Sequence, residues 1–134
     1  MGESVLERIL VVDDNPINRR LVVEILKDFV ECVEAENTQQ AIELYAQAEE
    51  GSPFRAILLD IQMPGLSGME ALKMIRQCED TARIPKEKRI PIIMITAHDT
   101  ALRRAFLYGC NDCVIKPINA DFLINKVKAV LANN

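Results

Sequence analysis

Five short apolar runs rich in β-branched residues alternate with longer stretches of helical spacing, and this alternation leaves the chain few folds to adopt. The runs are Ile9 to Val12, Val30 to Ala35, Ala56 to Leu59, Ile92 to Ile95 and Cys113 to Ile115. Such a pattern is how β-α-β units read, because parallel neighbours need a crossover long enough to hold a helix. The first, third and fourth runs are apolar at every position, as strands covered on both faces are. Val30-Glu31-Cys32-Val33-Glu34 mixes polarity and reads as an edge strand. The expected class is α/β, with a parallel sheet covered by helices.

The intervening stretches carry helix signals. Ile17, Leu21, Ile25 and Phe29, with Val22 and Leu26, form an apolar stripe behind an Asn15 cap and Pro16, which suits a first helical position. Asn37 and Gln40 resemble a capping box ahead of a second helix, which Gly51-Ser52-Pro53 stops. A third helix follows Gly68, using Met69, Leu72 and Ile75, and is expected to end before the polar stretch Glu79 to Arg89, read as an exposed connector. A short helix before Gly109 and a last one capped by Asn119, with Leu123, Val127, Val130 and Leu131, complete the set. Arg19-Arg20 reads as a solvated helix face, and Met63, Met69 and Met74 as packing residues.

Composition narrows the class of function. A chain of 134 residues is one domain's worth, with a core over about 8–131, and leaves no length for an output domain. The net charge of −4 disfavours a nucleic-acid backbone as partner. The apolar runs fall far short of a membrane span, and Leu6 stands where a myristoylation signal has Ser or Thr, so a cytoplasmic protein without membrane attachment is expected. The four cysteines, at 32, 78, 110 and 113, read as reduced thiols. Cys110-Asn111-Asp112-Cys113 has the C-x-x-C spacing but follows a helix and opens a strand, the reverse of the redox arrangement. It reads as a turn cysteine plus a small core cysteine, while Cys32 and Cys78 read as structural.

In an open parallel sheet, ligands bind outside the carboxyl ends of the strands. The residues there are Asp13 and Asp14 after the first run, Asp60 after the third, Thr96 after the fourth and Lys116 after the fifth. Three converging carboxylates repel one another unless a cation neutralises them. Oxygen-only donors suit a hard divalent ion, Mg²⁺ in the first place, which keeps waters that phosphate oxygens can replace. Lys116 adds positive charge and Thr96 a hydroxyl donor, so the set suits a phosphoryl group, with Asp60 as nucleophile.

Val12-Asp13-Asp14, the segment Asp60-Ile61-Gln62-Met63-Pro64-Gly65-Leu66-Ser67-Gly68, Thr96-Ala97 and Lys116-Pro117 closely resemble the response-regulator receiver family, in order and spacing over almost the whole chain. The resemblance implies a flavodoxin-like (βα)5 doubly wound sheet of strand order 2-1-3-4-5. It implies Asp60 as the phosphoacceptor, with Lys116 and Thr96 assisting. Mg²⁺ would be held by Asp14, Asp60 and the main-chain carbonyl of Gln62, with Asp13 acting largely through a metal-bound water. It further implies a cis Lys116-Pro117 bond. The partner would be a sensor histidine kinase or a histidine phosphotransfer protein, docking on the first helix. Asp13-Asp14-Asn15-Pro16-Ile17-Asn18-Arg19 resembles receivers of hybrid histidine kinases most closely.

Gln62, Ala97 and His98 occupy positions that border the phosphoryl group in the family, and are expected to modulate the site. Three residues before the lysine, where the family commonly has Tyr or Phe, stands Cys113. An aromatic switch is therefore not expected. Two other readings stay open: a Mg²⁺-dependent phosphohydrolase working through an aspartyl phosphate, although its D-x-D pattern is absent, and an interaction module independent of phosphorylation. Oligomeric state is not legible.

Overall fold

The computed structural model describes residues 6–63, 65 and 67–132. Pro64 and Leu66 of the motif, and Met1 and Gly2, lie outside the described residues. The strands are β1 (Glu7–Val12), β2 (Val30–Ala35), β3 (Ala56–Asp60), β4 (Ile92–Thr96) and β5 (Asp112–Ile115). The helices are α1 (Pro16–Leu26), α2 (Thr38–Glu49), α3 (Gly68–Thr81), α4 (Leu102–Leu107) and α5 (Ala120–Ala132). All strands pair in parallel, in the order β2-β1-β3-β4-β5. This is the flavodoxin-like topology expected from the sequence.

The two faces of the sheet are sorted by strand alternation. Leu10, Val12, Ile57, Leu59, Ile92 and Met94 face a layer of α2, α3 and α4, where they meet Ala41, Tyr45, Leu72, Ile75 and Ala105. Ile9, Val11, Leu58, Ile93 and Ile95 face α1 and α5, meeting Val22, Leu26, Leu123 and Val127. β1, β3 and β4 are central and their apolar residues are buried, so the uninterrupted runs are explained by cover on both faces. β2 is an edge, and its Glu31 and Glu34 pair with Arg8 and Arg19.

Several local expectations need correction. Only part of the α1 stripe faces the core: Val22 and Leu26 are buried and Ile25 is half-buried, whereas Ile17 is 79% exposed, and Leu21 and Phe29 are also exposed. Asn37 caps α2 by accepting from Gln40 N, but the Gln40 side chain accepts from Glu36 N rather than closing the box on Asn37. The reciprocal box is at α3, between Ser67 and Glu70. Cys110, in the turn, is the buried member of its pair, Cys113 is half-buried, and Cys78 is exposed.

The largest correction concerns Glu79. It belongs to the last full turn of α3 and is 1% exposed, not part of a solvated connector. Its Oε1 lies 2.6 Å from Arg76 Nη1, and its Oε2 accepts from Ile90 N at 2.7 Å. Arg76 also donates to the carbonyls of Gly109 and Ile90 and to Asn111 Oδ1, each at 2.9 Å. Asn111 Oδ1 accepts from Ile92 N as well, at 2.9 Å. The ion pair thus binds the end of α3 to the start of β4 and to the α4–β5 turn.

Gly68, the first residue of α3, packs directly on the Asp60 peptide, and a Cβ there would overlap the Asp60 carbonyl oxygen. The atom it meets is backbone and cannot swing aside. Gly68→Ala is expected to destabilise the fold by at least about 1–3 kcal/mol, the usual cost of overpacking. Urea unfolding measures it, and an unchanged midpoint would show that α3 is free to shift.

Candidate functional site

β1, β3, β4 and β5 end at the same edge of the sheet, and each delivers a polar residue there. Of the five buried polar or charged residues among those described, Asp13, Asp60 and Thr96 lie at these ends. A buried carboxylate is costly unless paired, so their concentration marks the place where the fold accepts that cost.

Asp13 closes the β1 ladder by donating its N–H to the Ala35 carbonyl at 3.1 Å, and its Oδ1 accepts from Asn15 N at 2.9 Å. Asn15 in turn caps α1 by accepting from Ile17 N and Asn18 N. The chain therefore turns sharply at Asp14, which is exposed and has no hydrogen bond or ion pair to its carboxylate among the described residues. Asp60 ends β3 and is 2% exposed; its Oδ1 accepts from Gln62 N at 3.2 Å. Carboxylate oxygens of Asp13, Asp14 and Asp60 all lie within 4.8 Å of one another.

Lys116 follows β5 at a cis Lys116-Pro117 bond, with its N–H donating to the Thr96 carbonyl at 2.8 Å. Its Nζ is 3.3 Å from Asp60 Oδ2 and 3.9 Å from Asp13 Oδ2. Burial, followed by the charge of Asp13, pushes the Asp60 carboxyl up to about 6, with Lys116 opposing. One ammonium does not balance three carboxylates. The donor set, oxygen-only and short of positive charge, fits a hard divalent cation.

The Thr96 hydroxyl lies 3.0 Å from Gln62 Oε1 and 3.1 Å from the His98 carbonyl, and accepts from His98 N at 3.1 Å. Gln62 thus reaches the site with its side chain, while His98 meets Thr96 through its main chain. Ala97 and His98 are exposed at the rim. Cys113 lies a strand's length away, paired with Met94 and packed half-buried against the α2–α4 side of the sheet. Burial raises its thiol and pushes that of Cys110 up to about 11, so neither is a reactive thiolate.

Sequence reasoning missed Arg19. Its side chain is 12% exposed, its Nη1 donates to the Asp13 carbonyl at 2.7 Å, and its Nε meets Glu34 Oε1 at 2.8 Å. The available signal was the Asn15 cap: four residues on, Arg19 lies on the same side of α1 as the loop it holds.

Residues 9–128 match the family model described as the response regulator receiver domain. The chain belongs to the response-regulator receiver family. It is 37% identical over 120 residues to the signal transduction histidine-protein kinase BarA of Escherichia coli, covering 87% of this chain and 12% of that protein. The chain therefore spans a small part of the length of such relatives. The receiver domain of Saccharomyces cerevisiae Ssk1, solved with the histidine phosphotransfer protein Ypd1, is 28% identical at a TM-score of 0.81, over 97% of this chain and 92% of that one. Thermotoga maritima TrrA, solved with Mg²⁺ and BeF, is 32% identical at a TM-score of 0.78, over 93% and 99%. Receiver domains accept a phosphoryl group from histidine kinases or phosphotransfer proteins, and bind Mg²⁺ at an acidic pocket. In this chain Asp13, Asp14 and Asp60 cluster at the ends of β1 and β3.

Proposed function

We propose that Asp60 accepts a phosphoryl group from the phosphohistidine of a sensor kinase or phosphotransfer protein, and that phosphorylation changes what the domain binds. The observation that carries this reading is a buried carboxylate at a strand end, 3.3 Å from a lysine ammonium and clustered with two further carboxylates. Asp13, Asp14, Asp60 and the Gln62 main-chain carbonyl are the residues that would hold Mg²⁺. When bound, the ion supplies positive charge against the phosphoryl oxygens. An Asp60 oxygen attacks phosphorus as the donor's P–N bond breaks, leaving a neutral imidazole once a proton is taken up. Lys116 stabilises the charge that gathers on the phosphoryl oxygens. The Thr96 hydroxyl exchanges Gln62 Oε1 for one of them. Gln62 and His98, with Ala97 beside them, set how freely water reaches the product. The domain catalyses its own modification rather than turnover of a free substrate.

Exposed Ile17 and Leu21 stand on α1 beside the acidic cluster and supply an apolar surface for the phosphodonor. Exposed Phe106, Ile115 and Phe122, on α4, β5 and α5, supply another for the protein that reads the phosphorylated state. The net charge of −4 fits protein partners better than nucleic acid. Among the described residues no helix is long and apolar enough to cross a membrane. The reading assigns the domain to the cytoplasm, where ATP-charged kinases work.

Acetyl phosphate with Mg²⁺ is expected to add the mass of one phosphoryl group to the protein, and Asp60→Ala is expected to gain none. Equal labelling of the two proteins would refute Asp60 as acceptor. Steady release of phosphate from small phosphoesters would favour a hydrolase instead.

A further inference from the structure

Among the described residues no side chain hydrogen-bonds or ion-pairs with the exposed carboxylate of Asp14, so the backbone of the β1–α1 turn carries its position. That turn is held at three points of Asp13: the N–H on the Ala35 carbonyl, the carboxylate under Asn15 N, and the carbonyl on Arg19 Nη1. The first two follow from strand pairing and from an Asx turn. The third comes from a side chain that is itself clamped, because Arg19 Nε is fixed by Glu34 of β2, and Arg20 Nη1 approaches the other Glu34 oxygen at 4.0 Å. The guanidinium is planar and forked, so one side chain spans the edge strand and the loop without slack.

We propose that Arg19 is a positioning residue for cation binding: by tying the Asp13 carbonyl to Glu34 it fixes the Asp13-Asp14 peptide, and thereby the direction of both carboxylates. This rests on the reading that Asp13, Asp14 and Asp60 hold Mg²⁺. Outer contacts that orient a ligand commonly change metal affinity about 10- to 100-fold.

The sign of the effect separates this role from two simpler ones. As a nearby cation, Arg19 repels Mg²⁺, so if charge were its only influence its removal would tighten binding. As a mere link between α1 and β2, its removal would lower thermal stability and leave Mg²⁺ affinity alone. Positioning requires the affinity to fall. The test is calorimetric titration of the full chain with Mg²⁺ alone, paired with melting of the metal-free protein. Arg19→Ala is expected to weaken Mg²⁺ by about ten-fold or more. Arg19→Lys, which keeps the charge but lacks the fork, should fall between the two and serves if the alanine variant does not fold. If the wild type binds Mg²⁺ and the variants bind it equally or more tightly, the positioning role is overturned while the acidic site stands. If the wild type itself fails to bind, the site reading falls and the inference with it.

Discussion

Glu79→Ala is expected to lower the stability of the domain by about 3–5 kcal/mol, because it leaves the Arg76 guanidinium buried without its counter-charge. For a chain of 134 residues this moves the melting temperature down by more than roughly 10 °C. The prediction rests on the completeness of the network. Both Glu79 oxygens are occupied, one by Arg76 and one by Ile90 N, and Arg76 reaches Gly109 and Asn111 from the same position. Removing the acid therefore costs more than one contact. Gly109 sits at φ +105 with Arg76 Nε close to where a Cβ would be, so the turn has little room to relax around the orphaned charge. Replacing both partners together, as Arg76→Met with Glu79→Leu, should cost much less than the two single changes added, since no charge is then left unpaired. Chemical denaturation of the single and double variants decides it, and a Glu79→Ala loss below about 1 kcal/mol would show that water reaches the pair.

At the other end of the sheet, a change in the opposite direction is expected. Asp60→Asn should stabilise the metal-free protein at neutral pH. Folding raises the Asp60 carboxyl from the ordinary 3.8 to about 6, so the folded state binds its proton more tightly than the unfolded chain. The ionised group is thus a penalty that is fully present above pH about 6 and fades as pH falls toward 4. Each pKa unit of that difference corresponds to about 1.4 kcal/mol, which makes the penalty on the order of 2 kcal/mol. Metal-free wild type should therefore gain stability on mild acidification through this group, and Asp60→Asn should lack that gain. Mg²⁺ reverses the comparison. At a hundred times its dissociation constant a ligand adds about 2.7 kcal/mol to the folded state, and the amide variant should lose most of this. Thermal melts at pH 7.5 and pH 5, with and without Mg²⁺, test both halves. Asp60→Asn melting below wild type without metal would mean that Lys116 already compensates the carboxylates.

The fold was legible because β1, β3 and β4 are apolar at successive positions, which only cover on both faces explains. The acidic cluster was legible for a related reason: Asp13, Asp60 and Thr96 each interrupt such a run at its carboxyl end. What escaped depends on partners distant in sequence. Glu79 looks solvated beside Asp80 and Arg83, and only the approach of Ile90 and Arg76 shows that it is buried. The sequence sets the end of α3 too early for a second reason. The helix stops with Arg83 at φ 57, its N–H on the Asp80 carbonyl and Ile84 N on that of Glu79. This is the left-handed stop that glycine usually marks, here made by a residue that carries no such signal. In α1, spacing alone could not separate Val22 and Leu26 from Ile17. Ile17 stands 79% exposed, and nothing in the described residues covers it. Arg19 reads as solvated in the sequence because its acceptors, Glu34 and the Asp13 carbonyl, come together only when β2 pairs with β1.

The edge strand β2 has a consequence for behaviour in concentrated solution. Its outer rim offers unpaired N–H and C=O groups, the template on which sheets from separate molecules fuse. Glu31 on that strand keeps a largely exposed carboxylate, the kind of edge charge that disfavours pairing with a second copy. At the opposite rim β5 has only four residues and begins with Asp112. The glutamate that braces Arg8 within one molecule thus also works against strand pairing with its neighbours.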